Sequence, residues 1–142
     1  MNIAIIPARG GSKRIPKKNL RHFCGKPIIA YSIDAALKSG VFDRVIVSTD
    51  DSEISAVANA HGAETPFVRP GELANDHAST VPVIRHAVDW VQNHVGKVEY
   101  VCCIYATAPF FQPHVLVKAY NQLIEEDVRG YVFAATTFPF PI

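Results

Sequence analysis

Long hydrophobic runs are missing from this 142-residue sequence: its apolar stretches last only a few residues, which excludes a transmembrane helix. Cysteine is scarce. Cys24, Cys102 and Cys103 make an odd set with neither a metal-ligand spacing nor a disulfide framework. In a strand, Cys102 and Cys103 would point to opposite faces. A reducing cytoplasm is therefore the expected setting. An excess of charge of either sign is also lacking. Lys and Arg total 14 against 13 Asp and Glu, a net +1, so no global basic field exists to draw nucleic acid. Charged residues reach only 19%, hydrophobic residues 49%, and mean hydropathy is +0.11, which excludes a disordered chain. Met1 is followed at once by the strand-like NIAIIPA rather than by a basic stretch and a long apolar core, so no signal peptide is expected. The length suits one domain that can bury a core without disulfides or metal.

The small net charge hides an asymmetry. No Asp or Glu precedes Asp34, yet Arg9, Lys13, Arg14, Lys17, Lys18, Arg21 and Lys26 fall in one early segment. Around it, short apolar strands alternate with amphipathic helices. Ile3 to Pro7 reads as a buried strand and Pro27 to Lys38 as a helix with Ile28, Tyr31, Ile33 and Leu37 on one face, stopped by Gly40. RVIVS, Arg44 to Ser48, is a second strand. Asp51 or Ser52 caps a helix through Ala60, and Thr65 to Val68 suggests a short strand. After a polar loop, Ser79 or Thr80 starts a helix to about His94, with Val83, Ala87, Trp90 and Val91 inward. Tyr100 to Tyr105, a helix from Pro113 to Glu126, and a strand from Tyr131 to Ala135 complete the series. The alternation predicts an α/β fold, a three-layer, doubly wound, mostly parallel sheet. Ligands of such sheets bind beyond the carboxyl ends of the strands, here near residues 7–26, 49–52, 69–80 and 106–113. The chain stops at PFPI, after a strand and without a closing helix, so the expectation is one domain over residues 1–142 that is the first part of a longer protein.

The first of these loops, PARGGSKRIPKKN from Pro7 to Asn19, holds the strongest signal. Gly10 and Gly11 let backbone N–H groups come close to a ligand, and consecutive N–H groups form an anion nest. Arg9, Lys13 and Lys18 add fixed positive charge suited to a triphosphate. The stretch is neither GxxxxGK[ST] nor GxGxxG, and the bland alternative is a solvated basic loop. The adjacent Asp50 and Asp51 fit a divalent cation, but capping of the following helix is the favoured reading. The six dispersed histidines form no HExxH or other metal spacing. Cys24, in FCGKP, is read as structural.

IAIIPARGGSKRIPKKNL resembles the N-terminal signature of the cytidylyltransferases that activate sialic acids and related nine-carbon sugar acids. The resemblance runs on through FDRVIVSTDDSEISAVANAHGAE, FVRPGELANDHAST and TAPF, in order and over nearly the whole chain. VCCIYATAP and TTFPFPI look most like the pseudaminic acid branch, because YATAPFF replaces the QPTSPLR-like stretch of the sialic acid enzymes. It implies a Rossmann-like fold of the nucleotide-diphospho-sugar transferase type. It also implies transfer of CMP from CTP to a nonulosonic acid with release of pyrophosphate.

Carried onto this sequence, the resemblance makes Arg9 and Lys18 the catalytic cations and Ala8, Arg9, Gly10, Gly11, Ser12, Lys18 and Asn19 the triphosphate loop. Arg69 corresponds to a base- or phosphate-contacting arginine, with an exposed loop arginine as the alternative. Asp76, Ser79 and Thr80 match nucleotide-contacting positions, although Ser79 would serve equally as an N-cap. Thr107 corresponds to a nucleotide- or sugar-contacting position. Mg²⁺ is the implied cofactor, with ligands on a later acidic strand beyond residue 142. The chain alone would then bind CTP without turning it over well, and the longer protein would be a homodimer. Competing readings are a cytidylyltransferase for N-acetylneuraminic or another sugar acid, a related nucleotidyltransferase, a non-catalytic nucleotide-binding fragment, or a nucleic-acid module built on residues 9–26. The last lacks interleaved aromatics apart from Phe23. Neither a nucleic acid nor a membrane is an expected partner.

Overall fold

The computed structural model describes all residues except 13, 77, 126–129 and 138–142. Strand β1 (Asn2–Pro7) occupies the middle of a parallel sheet, between β4 (Arg44–Ser48) and β5 (Tyr100–Cys103). Ile5 faces Ile46 on one side and Cys103 on the other. Because β1 is covered on both faces, its Ile3–Ile6 run is wholly buried and apolar without alternation, as parallel strands require.

Helices α1 (Ile28–Ser39), α2 (Ser52–Ala60) and α4 (Pro113–Glu125) contribute Ile29, Ile33, Ala36, Ile54, Ala58 and Leu116 to one face of the sheet, against Ala4, Ile6, Val45 and Val47. Helix α3 (Thr80–His94) covers the other face, where Ala87 and Val91 meet Ile3, Ile5 and Ile46. The three-layer α/β architecture is thus the expected one. Asp51 Oδ1 accepts the Glu53 and Ile54 amides and caps α2, as its position before Ser52 predicts. Gly40 closes α1 in the left-handed region, φ 66°.

Three local expectations fail in whole or in part, and one element is unforeseen. The buried stripe of α1 keeps the expected Ile33 but includes Ile29 and Ala36 in place of Ile28 and Leu37, and Leu37 remains 45% exposed. Thr65–Val68 is no strand. The preceding Glu64 alone extends the sheet, exchanging backbone bonds with Val45 and Val47, while Arg44 clamps its carboxylate. Tyr131–Ala135 lies beside β5 but joins no ladder, and Tyr131 and Phe133 face solvent. Strand-forming residues need a paired edge and a covered face, and these have neither. Finally, HFCGKP makes an unforeseen hairpin, β2 (His22–Phe23) and β3 (Lys26–Pro27). Cys24 and Gly25 both take positive φ at its turn, 45° and 92°. The Tyr31 hydroxyl donates to Phe23 O at 2.6 Å, pinning the hairpin to α1.

The chain passes from β1 to β4 on one side of the sheet and returns to β5 on the other. A crevice opens at such a reversal, outside the carboxyl end of the central strand.

Candidate functional site

At that reversal lies a cavity of about 230 Å³ with three walls. The first is the loop after β1, with Pro7, Arg9, Ser12, Lys18 and Asn19. The second is the segment from Arg69 into the first turn of α3, with Leu73, Asn75, Asp76, Ala78, Ser79, Thr80 and Val83. The third follows β5: Tyr105, Ala106 and Thr107. Residues drawn from three separated stretches of sequence thus share one space.

The loop after β1 is braced from within. Buried Asn19 donates from Nδ2 to Arg9 O at 3.0 Å, and the Ser12 amide bonds Gly10 O at 3.0 Å. The Ala8 amide is taken by Ser48 O and the Gly10 amide by Asp50 Oδ1, both at 3.0 Å. Ala8, Gly10 and Gly11 therefore shape the loop without lining the cavity. Gly10 has a steric reason distinct from ligand approach: a Cβ there would sit 2.5 Å from Asp51 Oδ2. Gly11 faces open space.

Arg69 is 4% exposed, so it is no loose surface arginine. Its amide bonds Thr49 O at 2.8 Å, Nε donates to Ser48 Oγ at 3.1 Å, and Nη2 donates to Ser48 O. Burial pulls its guanidinium below the usual range; Asp50 opposes that shift and Arg9 adds to it. Arg9 reaches Asp76, Nη2 to Oδ1 2.6 Å. Ser79 occupies the N-cap position of α3, but its hydroxyl makes no cap bond. The cap alternative thus leaves that hydroxyl unused, at the positive end of a 15-residue helix. Lys18 and Thr107 are exposed at the rim. Lys17 turns away to Glu53 at 2.5 Å.

Two arginines, a lysine and a helix N-terminus gather around one small cavity, an arrangement whose charge and donors suit an anion. The cytidylyltransferase family profile matches residues 3–138. The chain belongs to the cytidylyltransferase family. It is 49% identical over 141 residues to a pseudaminic acid cytidylyltransferase of Campylobacter jejuni, covering 99% of this chain and 60% of that protein. It is 41% identical over 124 residues to the N-acylneuraminate cytidylyltransferase of an Escherichia coli strain, covering 85% of this chain and 28% of that one. A solved CMP:2-keto-3-deoxy-manno-octonic acid synthetase, in complex with CTP, superposes with a TM-score of 0.72 at 24% identity over 89% of this chain and 48% of its own; that likeness carries the fold. The chain spans about three fifths of the length of the pseudaminic acid relatives it matches.

Among the described residues of this cytidylyltransferase chain, the carboxylates at the site do not make a cation-binding set. Asp51 Oδ1 is spent on the α2 cap and Asp50 Oδ1 on the Gly10 amide. Among the described residues, no group of three or more His, Cys, Asp or Glu could hold a metal ion. No helix among them is long and apolar enough to cross a membrane.

Sequence reasoning missed several contributors. Asn75 orders the second wall, donating to Glu72 O at 2.8 Å and accepting the Ala78 amide at 2.9 Å. Ser48, fully buried, anchors Arg69. A hydroxyl directly after the apolar Val45–Val47 run was the available signal for it, and Asn before Asp in a polar loop was the signal for Asn75.

Proposed function

We propose that this chain is the nucleotide-binding part of a cytidylyltransferase that transfers CMP from CTP to a nine-carbon sugar acid, pseudaminic acid, and releases pyrophosphate. The observation that carries the reading is convergence: Arg9, Ser12, Lys18, Asn19, Arg69, Asp76, Ser79, Thr80 and Thr107 all line one cavity. In the reaction, the sugar's anomeric oxygen bonds to the α-phosphorus, the bond from that phosphorus to the α–β bridging oxygen breaks, and the hydroxyl proton passes to solvent. Both reactants are anions. Arg9 and Lys18, the proposed catalytic residues, hold the phosphates and offset charge as pyrophosphate departs. Ser12, Asn19, Ser79 and Thr80 supply neutral hydrogen bonds. Ala8, Gly10 and Gly11 serve through the backbone shape of the loop. Arg69 presents a fixed positive charge to base or phosphate.

Thr107 contacts the sugar acid. Tyr105 and Phe110 beside it, 62% and 79% exposed, give that side an apolar character suited to a deoxy sugar bearing methyl and acylamino groups. The similarity to the pseudaminic acid relative supports the same choice. Mg²⁺, proposed as the cofactor of the whole protein, finds its ligands outside the described residues, and no step is assigned to it. A homodimer and a cytoplasmic location belong to the same proposal. Isothermal titration with CTP, ATP, GTP and UTP, with and without Mg²⁺, tests the nucleotide; equal affinity for all four bases would reject it. Product formation from both sugars tests the acceptor, and faster turnover of N-acetylneuraminate would reject pseudaminic acid.

A further inference from the structure

Carboxylates already hold two polar groups of the loop after β1, and one of these groups, the Arg9 guanidinium, lines the cavity. The Arg9 guanidinium is held by Asp76, Nη2 to Oδ1 2.6 Å, and the Gly10 amide by Asp50 Oδ1 at 3.0 Å. A carboxylate presents two oxygens to an arginine in the same fork as two phosphate oxygens, so one can stand in for the other. Arg9 and Asp76 both line the cavity, and their side chains keep 32% and 30% of their exposure. A pair this wet is weak and screened, so an incoming polyanion can exchange it. The loop that carries Asp76 is ordered independently by Asn75, which holds both Glu72 O and the Ala78 amide. Asp76 is therefore delivered to Arg9 by the fold, at the high effective concentration of a tethered group.

We propose that Asp76 is an internal competitor for Arg9, holding the guanidinium while the cavity is empty and yielding it to a polyphosphate. This rests on reading the cavity as the triphosphate site. A single phosphate must displace the tethered carboxylate with little in exchange. A triphosphate brings more charge and engages Lys18 and the α3 terminus as well. Asp76 thereby lowers the affinity of every ligand that needs Arg9, and a triphosphate, with its further contacts, still binds where a single phosphate no longer does. It is a positioning residue, acting through Arg9.

The test titrates inorganic phosphate, pyrophosphate and CTP into the full chain and into Asp76→Asn, Asp76→Ser and Asp76→Glu, with thermal unfolding as a control for folding. Removing the charge should tighten phosphate and pyrophosphate about fivefold, the upper range for releasing a solvent-accessible ion pair. CTP should tighten by a similar factor, because the same ion pair must open for each ligand. Asp76→Glu, which keeps a carboxylate, should return the affinities toward wild type. A merely structural Asp76 would lower the unfolding temperature without tightening any of the three ligands. Unchanged or weaker phosphate and pyrophosphate binding in both Asp76→Asn and Asp76→Ser overturns the competitor while leaving CTP binding intact. Tighter pyrophosphate in those variants, with no CTP bound by wild type, keeps the competitor and removes the CTP reading.

Discussion

The loop after β1 and the segment after β5 face each other across one cavity, and they are built in opposite ways. The first is polar and cross-tied: Asn19 to Arg9, Gly10 to Asp50 and Arg9 to Asp76, with Arg69 to Ser48 behind it. The second is apolar at its tip and held at its root, by the Ile104 amide on Ile5 O and by Ser32 Oγ on Tyr105 O at 2.8 Å. The exposed Phe110 ring beyond it packs edge to face with Phe23, ring centroids 5.6 Å apart. Geometry is fixed where a constant phosphate chain would sit. It is left adjustable where substituents of a sugar would vary. Charged recognition demands preset donors, because each misplaced buried cation costs several kcal/mol, whereas an apolar wall tolerates small shifts.

The largest effect should come from removing the brace behind the polar wall. Arg69→Ala takes a buried guanidinium off Ser48, removing the donor to its buried hydroxyl and one of the two donors to its carbonyl, which keeps the Ala8 amide. Stability should fall by about 2–4 kcal/mol in urea unfolding, and a loss under half a kcal/mol would show that the wall is held elsewhere. Next, Arg9→Ala and Lys18→Ala should each weaken CTP by about 1.5–3 kcal/mol in titration calorimetry. Lys17→Ala should weaken it far less, since Lys17 faces Glu53. Three equal, modest losses would mean diffuse charge rather than a cradle.

The apolar wall should answer differently. Phe110→Ala, at an exposed site, should leave stability within about 0.5 kcal/mol, while narrowing the preference for pseudaminic acid over N-acetylneuraminate in turnover assays of the longer protein. The smallest effect concerns thiols at the root of that wall. Burial pushes the Cys102 thiol up to about 11 from 9.0, with the neighbouring Cys103 adding to the shift. The folded state thus keeps a proton that the unfolded chain releases above pH 9, so stability should decline between pH 9 and 11. Cys102→Ala should flatten that decline, measured by unfolding at pH 8 and 10.5. An unchanged slope would show that Cys102 is not the group responsible.

The polar wall was largely legible in the sequence, and the reasons are local. PARGGSKRIPKKN directly follows a strand, and Asp51 precedes a helix with a capping geometry available to it. What escaped depends on distant partners. Arg69 is marked as a candidate contact by the resemblance, but its burial depends on Ser48, 21 positions earlier, and is not written in its own neighbours. Gly10 reads as a ligand-facing glycine until Asp51 arrives against its α-carbon. The HFCGKP hairpin carries no Asn-Gly or Asp-Gly signal and depends on Tyr31 to hold it. Tyr131–Ala135 has strand composition, but composition cannot supply the covered face a strand needs, and Tyr131 and Phe133 stay in solvent.

The central place of β1 also sets a clock. Its neighbours in the sheet are β4, which begins at Arg44, and β5, which begins at Tyr100. A ribosome adding roughly 5–20 residues per second leaves an interval on the order of 5–20 s between the synthesis of β1 and that of β5. Throughout that interval the most apolar strand of the chain has at least one unpaired edge. A strand made before both of its partners is completed only with the later one, so the nascent chain should be most prone to aggregate just before Tyr100–Cys103 emerges. Slower translation through α3 would lengthen that exposure.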